Sequence, residues 1–241
     1  TISILLHESY QKSKRIFMIT INNLTKKFGS INVLDDISIH FGKAKVYGIV
    51  GENGSGKTTL FRCIAELEKF EGTIVSELIP FRQRLGYIMA EQFFISKITG
   101  KEYIRLLLEA RGKKGIDIKS KNIFDLPLDR YIESYSTGMK KKLAITASIL
   151  QNNEFIIMDE PFNGLDLSSC IILTELIKIL KNKDKTIILS SHIFASLTEC
   201  CDEIIKLENG KLSNTIHRED FKLLEEELKS KILPQNIADF I

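Results

Sequence analysis

The chain has 241 residues, enough for one large α/β domain or two small ones. Its apolar fraction of 44% and charged fraction of 27% are those of a globular protein, which excludes a fibrous or intrinsically disordered chain. The net charge is only +3, and the basic residues are spread along the chain, so no nucleic-acid-binding stripe is indicated.

The first part of the chain predicts short strands and two helices. Residues 1–17 are interpreted as a leader, disordered or not native, and the folded domain is expected to begin near Met18. Predicted strands cover residues 19–28, 37–41, 45–50, 72–76 and 85–89, and a helix covers 58–69. Thr99 is expected to start a second helix, which runs to Ala110, with Glu102 completing a capping box.

The second part alternates helices and strands. A mixed, mostly helical region is expected to reach about residue 151. After it come predicted strands at 154–159, 186–190, 204–207 and 211–215, and predicted helices at 168–181, 193–201 and 219–232. This order predicts an α/β fold with a mostly parallel sheet between helices. We expect one domain over 18–215, with an N-terminal antiparallel β-subdomain and a helical subdomain at about 93–150, and a helical tail at 216–241.

The segment from residue 51 to 59 matches the phosphate-binding pattern G-x-x-x-x-G-K-[ST], between a predicted strand and a predicted helix. Its residues are Gly51, Glu52, Asn53, Gly54, Ser55, Gly56, Lys57, Thr58 and Thr59. Glycines let backbone N–H groups turn around an anion, and the helix N-terminus adds positive potential. Lys57 could reach the β- and γ-phosphates and Thr58 could offer its hydroxyl to Mg²⁺. The simpler alternative is a glycine turn that only joins the strand to the helix.

Two acidic residues, Asp159 and Glu160, follow a buried apolar strand. An acid at such a position can hold Mg²⁺, and a second can orient or deprotonate an attacking water. Solvated acids after a core strand are the alternative, which the P-loop upstream makes less favourable.

Three other segments are candidates of lower specificity. Ser136 to Gly138, ahead of an apolar-striped helix, could bind an anion or act as an ordinary helix cap. His192 ends a predicted parallel strand, where a side chain faces the ligand crevice, although a lone histidine is more often structural. The lysine run 140–142 is interpreted as a solvated helix face.

Taken together, these segments resemble the nucleotide-binding subunit of ATP-binding-cassette (ABC) transporters. The resemblance runs from about Met18 to Thr215 and keeps the order and spacing of the family's motifs. They are the P-loop, a signature at 135–139 similar to Leu-Ser-Gly-Gly-Gln, the second Walker-type strand at 154–160, the D-loop at 163–166 and the switch histidine His192.

The resemblance implies a role for each matched residue. Glu160 would be the catalytic glutamate, His192 would contact the γ-phosphate, and Asp166 would belong to the D-loop. Phe28 matches the aromatic that stacks on adenine, although it could instead be a core strand residue. Ser136, Thr137, Gly138 and Met139 would contact the γ-phosphate bound by a second copy. The family hydrolyses ATP, with Mg²⁺ held by Thr58 and Asp159, in a head-to-tail dimer.

The sequence departs from the family pattern at a few positions. Thr137 replaces the first signature glycine, Met139 replaces the glutamine and Lys142 stands where arginine is usual. In the Q-loop, Ala90 occupies the usual glutamine position and Gln92 follows two residues later. Either a local shift brings Gln92 to the metal or that contact is absent; our hypothesis is that Gln92 reaches it.

The resemblance also implies partners and a location. No stretch approaches the roughly 18 apolar residues that a spanning helix needs, so the membrane permease is expected to be a separate chain. The ATPase is expected at the inner face of the cell membrane, on the cytoplasmic side, paired with itself or a paralogous subunit, without nucleic acid. The signature's form resembles bacterial exporters. The alternative is a soluble ABC ATPase with another role, such as iron–sulphur cluster assembly.

Overall fold

The computed structural model describes residues 17–191 and 194–232. The strands are β1 Phe17–Phe28, β2 Ile31–Gly42, β3 Val46–Val50, β4 Glu71–Ser76, β5 Leu85–Ile88, β6 Phe155–Met158, β7 Thr186–Ser190, β8 Glu203–Glu208 and β9 Lys211–His217. The helices are α1 Lys57–Ile64, α2 Phe81–Arg84, α3 Gly100–Ala110, α4 Thr137–Leu150, α5 Leu167–Lys181, α6 Phe194–Cys200 and α7 Phe221–Ile232, with 3-10 turns at Ile132–Ser134 and Arg218–Asp220.

Two sheets organise these elements. The larger has the order β5-β6-β7-β3-β8-β9, in which the first five strands run parallel and β9 pairs antiparallel with β8. The smaller is antiparallel, with the order β2-β1-β4. The predicted α/β class, with a mostly parallel sheet and an N-terminal antiparallel unit, is confirmed.

The large sheet is buried on both faces. In β6, Ile156 and Met158 belong to the core cluster formed with α3, α4 and α5. Their neighbours Phe155 and Ile157 belong to a second cluster, shared with α1 and the antiparallel sheet. Burial on both faces explains why the central strands read as continuous apolar runs.

Two predicted boundaries were wrong, and local backbone geometry explains both. Strand β2 begins at Ile31 instead of residue 37. Its first half carries three polar residues, Asn32, Asp35 and Asp36, and Asp36 has a left-handed φ of 56° where the register with β1 shifts. Helix α1 ends at Ile64 instead of residue 69, because Glu66 is left-handed with φ 57° and stops the helical path.

The region between α3 and α4 was also predicted wrongly. Apart from the 3-10 turn, residues 111–136 form turns and irregular backbone rather than helices. The side chain of Asn122 shows how this is stabilised: its Nδ2 donates to the carbonyl of Leu126 at 2.8 Å, and its Oδ1 accepts from the N–H of Leu126 at 3.0 Å. Side-chain closure of turns of this kind competes with helix formation.

The chain ends bear on the expected domain bounds. Of the predicted leader, residues 1–16 lie outside the described residues, and Phe17 belongs to β1. In the predicted tail, β9 extends to His217 and α7 follows from Phe221. Among the described residues, no helix combines the length and apolarity needed to cross a bilayer.

Candidate nucleotide-binding site

The P-loop connects β3 to α1, at the carboxyl edge of the parallel sheet. Two of its glycines are required by close packing. A Cβ on Gly51 would lie 2.3 Å from the carbonyl oxygen of Leu207, and Gly56 has φ 106°, with Val33 O 3.0 Å from its Cβ position. These contacts hold the loop in a fixed curve against β2 and β8.

Lys57 is the first residue of α1 and is only 7% exposed. Its Nζ donates to the carbonyl oxygens of Gly51 at 2.7 Å and Glu52 at 2.9 Å. Burial lowers the pKa of Lys57, whereas the nearby carboxylates of Glu160 and Asp159 oppose that shift. The ammonium is thus held over its own loop, where an anion would favour its charged form.

Asp159 lies at the centre of a hydroxyl–carboxylate cluster and is completely buried. One carboxylate oxygen accepts from Thr58 Oγ1 at 2.7 Å, and the other accepts from Ser190 Oγ at 2.8 Å. The structure therefore brings together Thr58 and Asp159, two of the three residues predicted as metal ligands; the third, Gln92, is described below. Ser190 was missed by the sequence analysis; its signal was a hydroxyl at the end of a strand that neighbours β6.

Glu160 has an unusual backbone, with a left-handed φ of 47°. Such a conformation costs about 1–3 kcal/mol for a non-glycine residue and persists only where the surroundings hold it. Its N–H donates to Ser190 Oγ at 2.9 Å, so the same serine orients both acidic residues. Asp36 and Glu66 share this conformation, so it is the contact with Ser190, rather than the angle, that distinguishes Glu160.

The side chains around the P-loop are of types that can bind a phosphate group and a hard cation. Ser55 Oγ is buried in the P-loop and has no hydrogen-bond partner among the described residues, which suits an incoming phosphate oxygen. The oxygen donors of Thr58 and Asp159 are of the type that Mg²⁺ prefers. Within the described parts of the chain, no three or more His, Cys, Asp or Glu side chains form a group that could hold a metal ion.

The signature segment caps α4. Ser136 Oγ accepts from the N–H of Met139 at 3.2 Å, while Ser136 and Thr137 are exposed. A Cβ on Gly138 would lie 2.7 Å from the carbonyl oxygen of Gly164 in the D-loop. Within the described chain, no hydrogen bond or ion pair joins the signature segment to the P-loop. The structure therefore places the signature beside the chain's own D-loop.

A second contact joins α4 to the D-loop. Lys142 Nζ lies 2.7 Å from Asp166 Oδ2, and this hydrogen bond holds the pKa of the Asp166 carboxyl well below its usual range. Asp166 Oδ1 also accepts from Ser169 N at 2.9 Å as the N-cap of α5. The residue predicted for the D-loop thus links α4 to α5.

The predicted solvated lysine face is wrong for part of the run 140–142. Lys141 is only 5% exposed, and Lys142 is paired with Asp166. Lys141 turns inward because α4 packs against the loop after β5, where its Nζ donates to Ala90 O at 2.7 Å. Backbone carbonyls supply the partners that a carboxylate would supply elsewhere, and no residue pattern predicts such partners.

Gln92, the predicted Q-loop ligand, lies in a groove between the large sheet and helices α3 and α4. Its Nε2 donates to the carbonyl of Met89. The described hydrogen bonds do not bring Gln92 to Thr58 or Asp159, so its contact with the metal stays a prediction.

Phe28 lies at the end of β1 and is 47% exposed. This exposure excludes the alternative that it is a core strand residue. The Nζ of Lys26 lies 4.5 Å from the centre of its ring. Its stacking on adenine stays a prediction. His192, the other residue predicted to contact nucleotide, lies outside the described residues.

The glycine loop, buried lysine and Thr58–Asp159 pair on a parallel sheet define a P-loop nucleoside-triphosphatase. The family model described as ABC transporter matches residues 34–163. The chain is 32% identical to the ABC transporter ATP-binding protein NatA of Bacillus subtilis, covering 90% of this chain and 95% of the relative. It is also 32% identical to the bacitracin transport ATP-binding protein BcrA of Enterococcus faecalis, covering 83% of this chain and 70% of the relative.

The chain therefore belongs to the ABC transporter family, as an ATP-binding subunit with the family's ATPase domain. The fold agrees with this assignment. A solved dimeric ATP-binding cassette in a post-hydrolysis state with ADP and Pi superimposes with a TM-score of 0.75 at 21% identity, covering 83% of this chain and 99% of that chain.

Proposed function

We propose that this subunit hydrolyses Mg-ATP in a head-to-tail dimer and drives a separate membrane-spanning subunit, in the direction of export. The observation that carries the proposal is the Thr58–Asp159 contact at the mouth of the P-loop, with Glu160 next in the chain. This arrangement places a metal-binding pair beside a residue that can act as a base. Phosphoryl transfer to water requires both a bound metal and a group that orients the water.

In this mechanism the chain's residues bind and orient the reactants. Lys57 and the P-loop N–H groups bind the phosphates, while Thr58 and Asp159 hold Mg²⁺. The metal, when bound, neutralises charge that develops on the phosphate oxygens. Glu160 orients the attacking water and accepts its proton. Phe28 stacks on the base, and His192 contacts the γ-phosphate.

The position of the signature supports a dimer. Ser136 and Thr137 are exposed at the start of α4, beside the D-loop of the same chain. A second copy, or a paralogous subunit, would present these residues to the γ-phosphate at this chain's P-loop. The helix N-terminus is suited to that task because its N–H groups and dipole attract anions.

The groove beside the Q-loop supports docking of a membrane subunit. Phe93 is 77% exposed and Ile95 is 54% exposed, whereas Phe94 packs on Tyr103 with ring centroids 4.9 Å apart. Two of the three apolar residues in the run 93–95 are therefore exposed. Adjacent exposed apolar side chains often mark contact surfaces. Docking here would place the chain at the inner, cytoplasmic face of the membrane.

Substitution of Phe93 tests this proposal. Phe93→Asp should leave basal ATP hydrolysis within about twofold of wild type, since Phe93 is exposed and outside the P-loop, but should disrupt assembly with the membrane subunit. The measurement is co-purification of the two subunits from a membrane extract. Ile123→Asp, at an exposed apolar residue that does not line the groove, is the matched control. A Phe93→Asp variant that assembles and transports normally would place the docking surface elsewhere.

A further inference from the structure

Lys141 occupies an unusual position for a lysine. It lies on α4, two residues beyond the signature segment, with only 5% of its surface exposed. Its Nζ donates to three backbone carbonyls: Ala90 at 2.7 Å, Met89 at 3.3 Å and Glu160 at 3.4 Å. An ammonium group has three N–H donors, so the acceptors match them in number. The cation therefore bridges the loops that follow β5 and β6.

Packing alone does not account for a lysine here. Burial of the ammonium lowers the pKa of Lys141, and the carboxylates of Asp159 and Glu160 oppose that effect. Burying a charge is costly, and an apolar side chain of similar length would avoid the cost. A chemically directed contact, rather than space filling, explains the residue type.

The carbonyl of Glu160 is the acceptor of greatest consequence. Glu160 has a left-handed φ of 47°, which its surroundings must hold. Its N–H is bound by Ser190 Oγ at 2.9 Å, and its carbonyl accepts from Lys141 and from Asn163 N at 3.3 Å. Lys141 is thus one of the groups that fix the backbone of this residue, and it does so from the signature helix.

We propose that Lys141 is a positioning residue for ATP hydrolysis, which fixes the backbone of Glu160 from α4 and ties it to Met89 and Ala90. This inference rests on the proposed role of Glu160 as the base. The carbonyl of Met89 also accepts from Gln92 Nε2, so one ammonium connects the groove segment, the signature helix and Glu160. A shift of either segment would then move Glu160 relative to the attacking water.

A positioning role predicts a specific kinetic signature. Lys141→Met removes the ammonium and keeps much of the side-chain length, which limits the disturbance of α4 packing. Because the P-loop of the same chain is untouched, the equilibrium affinity for ATP should change less than about twofold. The turnover number should fall at least about tenfold, because small displacements of catalytic groups have large effects on rate. Lys141→Arg, which retains a charged donor, should recover a substantial part of the rate.

The experiment uses the purified full chain with fluorescent ATP binding and phosphate release as readouts. Lys101→Met, at an exposed lysine on α3, is the matched control and should behave like wild type. If Lys141→Met does not fold, as judged by thermal unfolding, Lys141→Gln replaces it, since its amide keeps two donors without the charge. For Lys141→Gln we expect a turnover number at least about threefold below wild type, with ATP affinity again unchanged.

Two results would overturn the inference: turnover within about twofold of wild type in the neutral variant, or a loss of ATP affinity as large as the loss of rate. The variant Glu160→Gln, assayed in parallel, separates this inference from the proposed function. If Glu160→Gln hydrolyses ATP normally, the proposed base is wrong. If it is inactive while Lys141→Met is fully active, only the positioning role fails.

Discussion

Lys57 shows how the site is organised at the scale of single residues. Its ammonium is bound by carbonyls of its own loop at 2.7 and 2.9 Å, so the charge is already located where phosphate is expected. In the proposed mechanism, ATP binding would exchange those neutral acceptors for phosphate oxygens, and charged acceptors form stronger hydrogen bonds. The net gain is therefore electrostatic and depends on the ammonium itself.

Removal of that ammonium should abolish hydrolysis. In Lys57→Ala, loss of a charge-assisted hydrogen bond of about 1.5–3 kcal/mol should weaken ATP affinity by roughly ten- to a hundredfold. Fluorescent ATP binding and phosphate release measure both effects. Lys183→Ala, at an exposed lysine, serves as the control. If Lys57→Ala hydrolysed ATP at the wild-type rate, the assignment of residues 51–59 as the phosphate-binding loop would be wrong.

The Q-loop prediction concerns two neighbouring side chains. Gln92→Ala should lower ATP turnover, or its stimulation by the membrane subunit, because an amide oxygen can ligate Mg²⁺ without adding charge. Glu91→Ala should have a small effect, since Glu91 is exposed. Steady-state hydrolysis over a range of Mg²⁺ concentrations makes the comparison. The opposite ranking of the two variants would show that Glu91 is the functional residue.

The sequence predicted some of the contacts in the site, but other contacts could not be predicted from it. Thr58 and Asp159 were predicted as a pair of metal ligands because both belong to segments with a known chemical use. In the structure, Thr58 Oγ1 lies 2.7 Å from Asp159 Oδ2. Lys141 was missed because its partners are backbone carbonyls, which every sequence position possesses. Ser190 was missed because a hydroxyl at a strand end is common, and only the neighbouring strand gives it a role.

At the scale of elements, helix α4 is in direct contact with the D-loop at two places. Gly138 lies close enough to Gly164 that an added Cβ would be 2.7 Å from its carbonyl oxygen, and Lys142 pairs with Asp166. The signature and the start of α5 are thereby held in a fixed relation. A substitution that separates them should disturb hydrolysis without disturbing the P-loop.

Gly138→Ala tests this relation. The added methyl should displace the D-loop or the start of α4. Turnover should then fall at least about tenfold, because the segments proposed to face the nucleotide of a second copy would be misplaced. ATP affinity of the isolated subunit should stay near wild type. The two quantities are measured as phosphate release and fluorescent ATP binding, with thermal unfolding as a check on the fold. Full turnover in Gly138→Ala would show that the close contact has no catalytic consequence.

Element prediction succeeded where hydrophobic pattern and chemistry agreed. The capping box was predicted and confirmed: Thr99 Oγ1 accepts from Glu102 N at 3.2 Å, and Glu102 Oε2 accepts from Thr99 N at 2.7 Å. The start of β2 and the end of α1 were missed because Asp36 and Glu66 adopt left-handed backbone angles. That conformation is uncommon for non-glycine residues, and the enrichment of aspartate in it is too weak to predict it at a single position.

At the scale of the whole molecule, the parallel sheet gathers the site from distant parts of the chain. The P-loop follows β3, Asp159 follows β6 and Ser190 ends β7, and these three strands are adjacent in the order β6-β7-β3. The alternation of helices and strands predicted the sheet, but the strand order comes from three-dimensional packing. Among the described residues, no hydrogen bond or ion pair joins the signature to the P-loop of the same chain, and its proposed ligand is the nucleotide of a second copy.

The central claim is that Glu160 activates water in an ATP-bound dimer, and Glu160→Gln tests it most directly. The amide cannot accept the proton, so this variant should bind Mg-ATP, hydrolyse it at least about a hundredfold more slowly and accumulate as a dimer. Size-exclusion chromatography with and without Mg-ATP, on protein whose phosphate release has been measured, gives both readouts. We predict an ATP-dependent shift from monomer to dimer; a variant that stays monomeric and hydrolyses ATP at the wild-type rate would contradict the account.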